Sequence, residues 1–358
     1  MAELPSTAIR TSVAEIARHH GGGRLTFALL AGLIAVVLVS IGIGAVPIPF
    51  SSIAASLAAW VGAPVAVDET IQSIVLQIRL PRIVLAVVVG MALAASGTVF
   101  QGLFRNPMAD PYIIGVSGGA ALGATTAIVL GVTFSVAGLS AVTLLAFAGA
   151  LLVTLLVYRL AWFRADVVPE HLLLAGVAVG AFLAAVISAL QFASSGNIQQ
   201  VVFWLMGGFS GRTWEHVWLA LPYIIVGYGV ARYFARDLNL LVLGDETARS
   251  LGVSAVSARR WLIVAGSLMA ASAVAVSGLI GFVGLVVPHL VRLITGPDHR
   301  RLLPAAALAG GITLLLADTV ARTILAPTEI PVGIVTAGLG APFFIYLLMK
   351  NRGKTYWG

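Results

Sequence analysis

Residues 79–111 read RLPRIVLAVVVGMALAASGTVFQGLFRNPMADP, and from Ile83 to Phe104 no residue is charged. As a helix, that uncharged run spans roughly 33 Å, enough to cross the hydrocarbon core of a bilayer. Backbone groups in lipid have no water to bond, so a helix, which satisfies them within the segment, is the natural reading. Charge returns at both ends, at Arg82 and Arg105. Asn106-Pro107 and Asp110-Pro111 are turn dipeptides, so the crossing ends in a stiff loop.

The same pattern recurs outward in both directions. Apolar runs fall near 25–46, 80–104, 112–132, 138–158, 171–193, 217–235, 261–281, 283–295, 303–321 and 332–349. The chain is 59% hydrophobic and only 10% charged, with a mean hydropathy of +1.03. A soluble domain carries about a quarter charged residues. No ten-residue alternation suggests a barrel. The fold class is therefore an all-α polytopic membrane protein of about ten transmembrane helices, with residues 1–358 forming a single transmembrane domain. The eighth run is short and packs inside the protein rather than crossing alone.

With ten spans both termini face the same side. Seventeen of the 21 Lys and Arg then fall on that side, and Arg79, Arg82, Arg212 and Arg322 fall opposite. The positive-inside bias makes the first side cytoplasmic. It also accounts for the net charge of +7 without nucleic acid. Residues 1–24 read as a cytoplasmic tail rather than a cleaved leader, because no A-x-A-like site follows a run of this length. Residues 47–78 are external, with Ser51 placed to cap a short interfacial helix. Residues 236–258 are internal. The chain has no cysteine, so no disulfide or thiolate metal site arises, and no histidine pair has metal-ligand spacing within a span. No G-x-x-x-x-G-K-[ST] loop occurs, so any nucleotide is hydrolysed elsewhere.

Ser96-Gly97 with Pro107 and Ser277-Gly278 with Pro288 lie 181 residues apart, as do Arg79 and Arg260. One copy runs outside to inside and the other inside to outside, the arrangement of inverted-repeat transporters. Glycines and serines within the spans suit close helix packing. No carboxylate sits at mid-depth, which argues against an ion-coupled carrier. Asp318 and Arg322 share a helix face near the outer end of the ninth span. No His/Asp/Glu or Ser/Lys constellation suggests a membrane-embedded enzyme.

Four places concentrate polar chemistry. LGDETARSLGV (243–253) reads as a helix–Gly–helix unit. In it Gly244 breaks the preceding helix, Asp245 caps the next, Glu246 favours its start and Gly252 ends it. Ser254 then caps a second short helix toward Arg259. Such a unit can seat in a groove on another protein. Arg79, Arg82 and Arg322 stand at the outer mouths of two spans, where guanidinium forks can register an acidic partner or touch lipid headgroups. The turns around Asn106 and Met108, and Pro169-Glu170 at a helix start, are gates or simple turns. Gln199, Trp204, Met206 and Phe209 lie in an outer polar-aromatic loop that suits a large flat ligand or an interfacial aromatic belt.

RLPR, ALAASGTVFQGLFRNPMADP, GVSGGA, LLLAGVA, WLMGGF, LGDETARSLGV, GFVGLVVPHLVR, ADTVAR and EIPVGIVTAGLGAPFFIYLL stand in one order. In that order they resemble the FecCD family, permease subunits of ATP-binding-cassette importers for iron-siderophores, haem and cobalamin. The resemblance implies a functional homodimer with the pathway at its interface, in a bacterial inner membrane. It also implies two cytoplasmic ATPase subunits carrying ATP and Mg, and a periplasmic binding protein. By that resemblance Gly244, Asp245, Glu246, Thr247, Arg249, Leu251, Gly252 and Val253 couple to the ATPase. Arg79, Arg82 and Arg322 dock the binding protein. Asn106, Met108, Pro169 and Glu170 form the inner gate. This chain is not itself an enzyme and binds no cofactor. Haem is the expected cargo, with ferric siderophore or cobalamin as alternatives. The Val-Pro-Glu-His turn at 168–171 departs from the small hydroxylated residues of cobalamin permeases.

Overall fold

The computed structural model describes residues 6–44, 46–163, 166–194 and 196–350. The first helix, α1 (Ser6–Gly42), already begins within the expected 1–24 tail, of which residues 1–5 lie outside the described residues. A short α2 (Phe50–Trp60) follows, starting from Pro49, so Ser51 lies inside this helix and does not cap it. Asp68 opens α3 (Glu69–Ser73), accepting from the amides of Thr70 and Ile71 at 2.8 and 3.3 Å. Those two hydrogen bonds hold its carboxyl below the usual range.

From α3 the helix continues without a break through a π turn (Ile74–Arg79) into α4 (Leu80–Leu103). The second span therefore starts eleven residues before Leu80, inside the segment expected to be external. Pro81 supplies a reason for the π turn. It has no N–H to bond the carbonyl one turn back, and its ring crowds that carbonyl, so the helix widens just before it.

The later helices are α5 (Val116–Val129), α6 (Ala141–Leu160), α7 (Pro169–Ala193), α8 (Ile198–Met206), α9 (Trp214–Tyr233) and α10 (Ala235–Val242). After them come α11 (Asp245–Ser250), α12 (Ala255–Ser277), α13 (Val283–Thr295), α14 (His299–Ala321) and α15 (Val332–Lys350). Two antiparallel ladders of two residues each close the α5–α6 and α6–α7 connections. Among the described residues six helices are long and apolar enough to cross a bilayer, and α9 with α10 makes a seventh, bent by 56°. The shorter apolar α5, α13 and α15 occupy the three remaining expected spans. As expected, the eighth is short, 13 residues from Val283 to Thr295.

Helices α4 and α12 form the centre: each is 78% buried along its apolar window, against 17% for α1 and α7. They meet where Ser96 Oγ donates to the carbonyl of Gly266 at 2.8 Å. Around this pair α4 packs on α13 and α14, while α12 packs on α5 and α6. Each central helix thus leans on the third and fourth spans of the opposite half, as an inverted repeat requires. The 181-residue spacing relates only α4 to α12, because α13 and α14 follow at shorter distances from their counterparts.

Glycine sets the closest crossings. A Cβ on Gly90 would stand 2.3 Å from the carbonyl oxygen of Gly310, and one on Gly310 the same distance from that of Gly90. Gly119 and Gly149 repeat the arrangement between α5 and α6. Lipid is as apolar as a leucine, so burial drives helices together weakly in a membrane. Backbone-to-backbone approach at small residues supplies the packing.

Candidate functional site

The arginine-rich end of the bundle carries the segment 243–253. Helix α10 stops at Val242, and Gly244, at φ +124°, turns the chain into α11. Gly244 occupies the cap position and Asp245 is the first helical residue, so Asp245 does not cap. At the far end Gly252 adopts φ +83°. Its N–H donates to Arg249 O at 3.0 Å, and that of Val253 to Ala248 O at 2.9 Å. This is the paired closure that a left-handed glycine permits after a helix. Ser254 then starts the long α12, not a second short helix. Only Ala248 of α11 is buried; Glu246, Thr247, Arg249 and the apolar Leu243 and Leu251 are exposed. Asn239 of α10 donates to Asp298 at 2.7 Å and accepts from the backbone N–H of His299 at 2.9 Å. Those bonds fix the unit to the start of α14.

Asp245 has a different task from capping. One carboxylate oxygen lies 3.1 Å from Arg105 Nη2 and the other 2.6 Å from Arg259 Nη2. Arg105 begins the 105–111 turn and also donates from Nε to Leu241 O at 3.0 Å. Arg259 donates from Nη1 to Val167 O at 3.3 Å, two residues before Pro169. One carboxylate thus ties the exposed helix to both proline turns. In the sequence Arg105 is visible only as the charge that ends an apolar run and Arg259 only as an inside charge; nothing there joins either to Asp245.

Within the first turn Asn106 Oδ1 accepts from Met108 N at 2.9 Å, and Met108 projects 43% exposed. Asp110 Oδ1 accepts from Tyr112 N at 2.8 Å. Burial pushes the Asp110 carboxyl up to about 6. The Tyr112 hydroxyl donates to Ile280 O at 2.9 Å, joining this turn to the break between α12 and α13. Pro169 and Glu170 stand in the first turn of α7 as expected.

At the opposite end the three expected docking arginines are turned inward: Arg79, Arg82 and Arg322 are 6, 9 and 4% exposed. Arg79 donates to the carbonyls of Ile41 (2.7 Å), Gly42 (3.3 Å) and Val46, closing the end of α1. Arg82 reaches both Asp318 oxygens from Nε at 3.0–3.1 Å and Glu329 from Nη1 at 2.7 Å. Arg322 donates to Ser40 O at 2.5 Å and lies 3.9 Å from Asp318. Their sequence positions suggest forks aimed at an acidic partner or at lipid headgroups; in the structure backbone carbonyls and a fully buried carboxylate hold them. A charge taken out of water must be paired or hydrogen-bonded: Arg82 and Arg322 meet Asp318, and Arg79 meets backbone carbonyls.

Beside that cluster lies a cavity of about 410 Å³. Trp204 and Phe209 line it, Phe209 being only 1% exposed. Gln199 and Met206 do not; Gln200 and Phe203 take their places, with Arg212. The segment is the helix α8 and not the expected loop, so residues three and four apart share its cavity face. Gly207 leaves α8 at φ +69°, where its N–H bonds Trp204 O. A Cβ there would stand 2.4 Å from Leu279 O.

Residues 32–350 match the FecCD transport family. The chain belongs to that family. A cobalamin import system permease protein, BtuC, of Halobacterium salinarum is 49% identical over 86% of this chain and 81% of its own. The vitamin B12 import permease BtuC of Salmonella paratyphi A is 48% identical over 77% of this chain and 83% of its own. An uncharacterised Bacillus subtilis ABC transporter permease, YvrB, is 43% identical over 80% of this chain and 81% of its own. A solved transporter described as ABC, of metal-chelate type and inward-facing, superposes with a TM-score of 0.78 at 35% identity. That match covers 92% of this chain and 99% of the other. This FecCD permease is therefore a multi-pass membrane subunit of an ABC importer. ATP hydrolysis belongs to a partner ATPase, and family membership implies a substrate-binding partner as well.

Proposed function

We propose that two copies of this permease form a homodimeric pathway for a metal-chelate cargo, in the cytoplasmic membrane, with both termini and the 236–258 segment on the ATPase side. The observation that carries the coupling assignment is Asp245, joined at 3.1 Å to Arg105 of one proline turn and at 2.6 Å to Arg259, which holds the Val167 carbonyl beside the other. An ATPase seated on Leu243, Leu251 and the exposed face of α11 would move Asp245. Both turns, carrying Asn106 and Met108 on one side and Pro169 and Glu170 on the other, would move with it. Cobalamin is the cargo we favour, because relatives at 49 and 48% identity bear that name. Haem is the second reading: the cavity offers Phe203 and Trp204 for a flat ring and Arg212 for a carboxylate. The buried state of Arg79, Arg82 and Arg322 leaves binding-protein docking to the surface around them.

The test is uptake into proteoliposomes holding this chain with its ATPase and binding protein, offered cobalamin, hemin or a ferric siderophore, with and without ATP. ATP-dependent cobalamin uptake alone would support the full reading. Uptake of another of the three would keep the mechanism and replace the cargo. Uptake driven by an ion gradient without ATP would overturn the mechanism.

A further inference from the structure

A second cavity, of about 670 Å³, lies between α6 and α12 at the arginine-rich end, where its rim residue Arg260 follows the Arg259 that Asp245 holds. From α6 it takes Leu151, Thr154, Leu155, Tyr158 and Arg159. From α12 it takes Arg260, Ile263, Val264, Ser267 and Leu268. Both sets follow one spacing (i, i+3, i+4, i+7, i+8), so each is a single helix stripe, and the stripes face each other. At the mouth Arg159 and Arg260 are exposed, and no carboxylate among the described residues pairs with either. Arg260 lies over the Trp162 ring at 5.3 Å, and Tyr158 meets the same ring edge-on at 5.7 Å. Deeper in, Thr154 is 8% exposed and its hydroxyl has no hydrogen-bond partner.

We propose that this groove holds an anionic phospholipid: phosphate on Arg159 and Arg260, one acyl chain along the leucine-lined walls. Basic pockets between membrane helices, with a Tyr/Trp rim at the interface, are the chemistry that recognises acidic headgroups. Thr154 sits about 7 Å deeper than Arg159 along α6, the depth at which a glycerol ester follows its phosphate. Its unpartnered hydroxyl then has an ester carbonyl to donate to. A free phosphate would leave the apolar walls empty. A second copy related by a two-fold axis would bring its own two arginines to the same rim, charge against like charge. The inference depends on the membrane-spanning fold and not on the cargo.

The test is native mass spectrometry of the purified full chain with phosphatidylglycerol or phosphatidylcholine added in equal amount. The wild type should retain phosphatidylglycerol about thirtyfold better. Arg159→Gln with Arg260→Gln should lower that preference about thirtyfold, toward none. Leu155→Trp, which fills the groove and keeps both arginines, should lose the lipid too. This variant and the wild-type preference decide the matter if the double variant does not fold. Equal retention of the two lipids by the wild type overturns the proposal. So does unchanged retention in Leu155→Trp, or displacement of the lipid by millimolar inorganic phosphate. A disulfide-linked dimer from Leu155→Cys, in a chain otherwise free of cysteine, would put a second copy in the groove and overturn it as well.

Discussion

At the scale of single residues, charged groups decide what moves together. Asp245 is about one-third exposed, whereas its partner Arg259 is 7% exposed. Removing the carboxylate takes one hydrogen-bonded partner from a nearly buried guanidinium, at a cost of about 1 kcal/mol after solvent screening. Asp245→Ala should therefore fold, keep its ATPase on the intact Leu243–Leu251 surface, and transport at least tenfold more slowly. Normal uptake by this variant would remove Asp245 from the coupling path. Asp110 makes a pH prediction. Its carboxyl titrates near 6 in the folded turn, against about 3.9 unfolded. The folded state binds the extra proton, so stability falls as pH rises from about 4 to about 6 and is level above. The span is about 3 kcal/mol at most. Asp110→Asn keeps an acceptor for Tyr112 N and should flatten the melting temperature across that window. A profile as steep as the wild type would assign the titration to another group.

At the scale of elements, the helix–Gly–helix unit was legible in the chain because its signals are local. An acid pair after a glycine starts α11, and Gly252 ends it at φ +83°. A Cβ at Gly252 would meet nothing within 4 Å, so Gly252→Val costs only the backbone strain of that φ, about 1–2 kcal/mol. The fold should survive while α11 is re-aimed against its partner. The expected result is ATP hydrolysis that no longer drives uptake, measured on the same proteoliposomes; tight coupling would show that the angle between α11 and α12 is unimportant. The partners of Asp245 were not legible. Arg105 is 140 residues away, and nothing in either neighbourhood marks the pair. The Asp318–Arg322 pair, four residues apart on one helix face, was legible; Arg79 and Arg82 fail in the same way as Asp245. Their positions against the charge bias are visible in the sequence. Their partners, Ile41 O, Asp318 and Glu329, lie 38, 236 and 247 residues distant.

At the scale of the molecule, the central α4–α12 pair is enclosed, while α7 stands with Leu174, Val177 and Phe182 exposed. Helix α7 begins at the Pro169–Glu170 turn, so it is the element through which a gate movement would reach a facing copy. In this cysteine-free chain, Val177→Cys should give a disulfide-linked dimer in membranes under mild oxidation. A monomer under those conditions would place α7 against lipid and move the pathway elsewhere.

The sequence by itself determined the class, the positions of the apolar runs, the short eighth helix and the family. Each follows from bilayer thickness, from the absence of charge over a continuous run, or from motifs read in order, and all are properties of neighbouring residues. Only the tertiary structure decided that the second span starts at Glu69, that the outer arginines face inward, and that one carboxylate joins two turns. Those outcomes depend on which distant carbonyls and carboxylates the packed helices bring within about 3 Å, and a buried charge takes whatever counter-charge the packing brings to it.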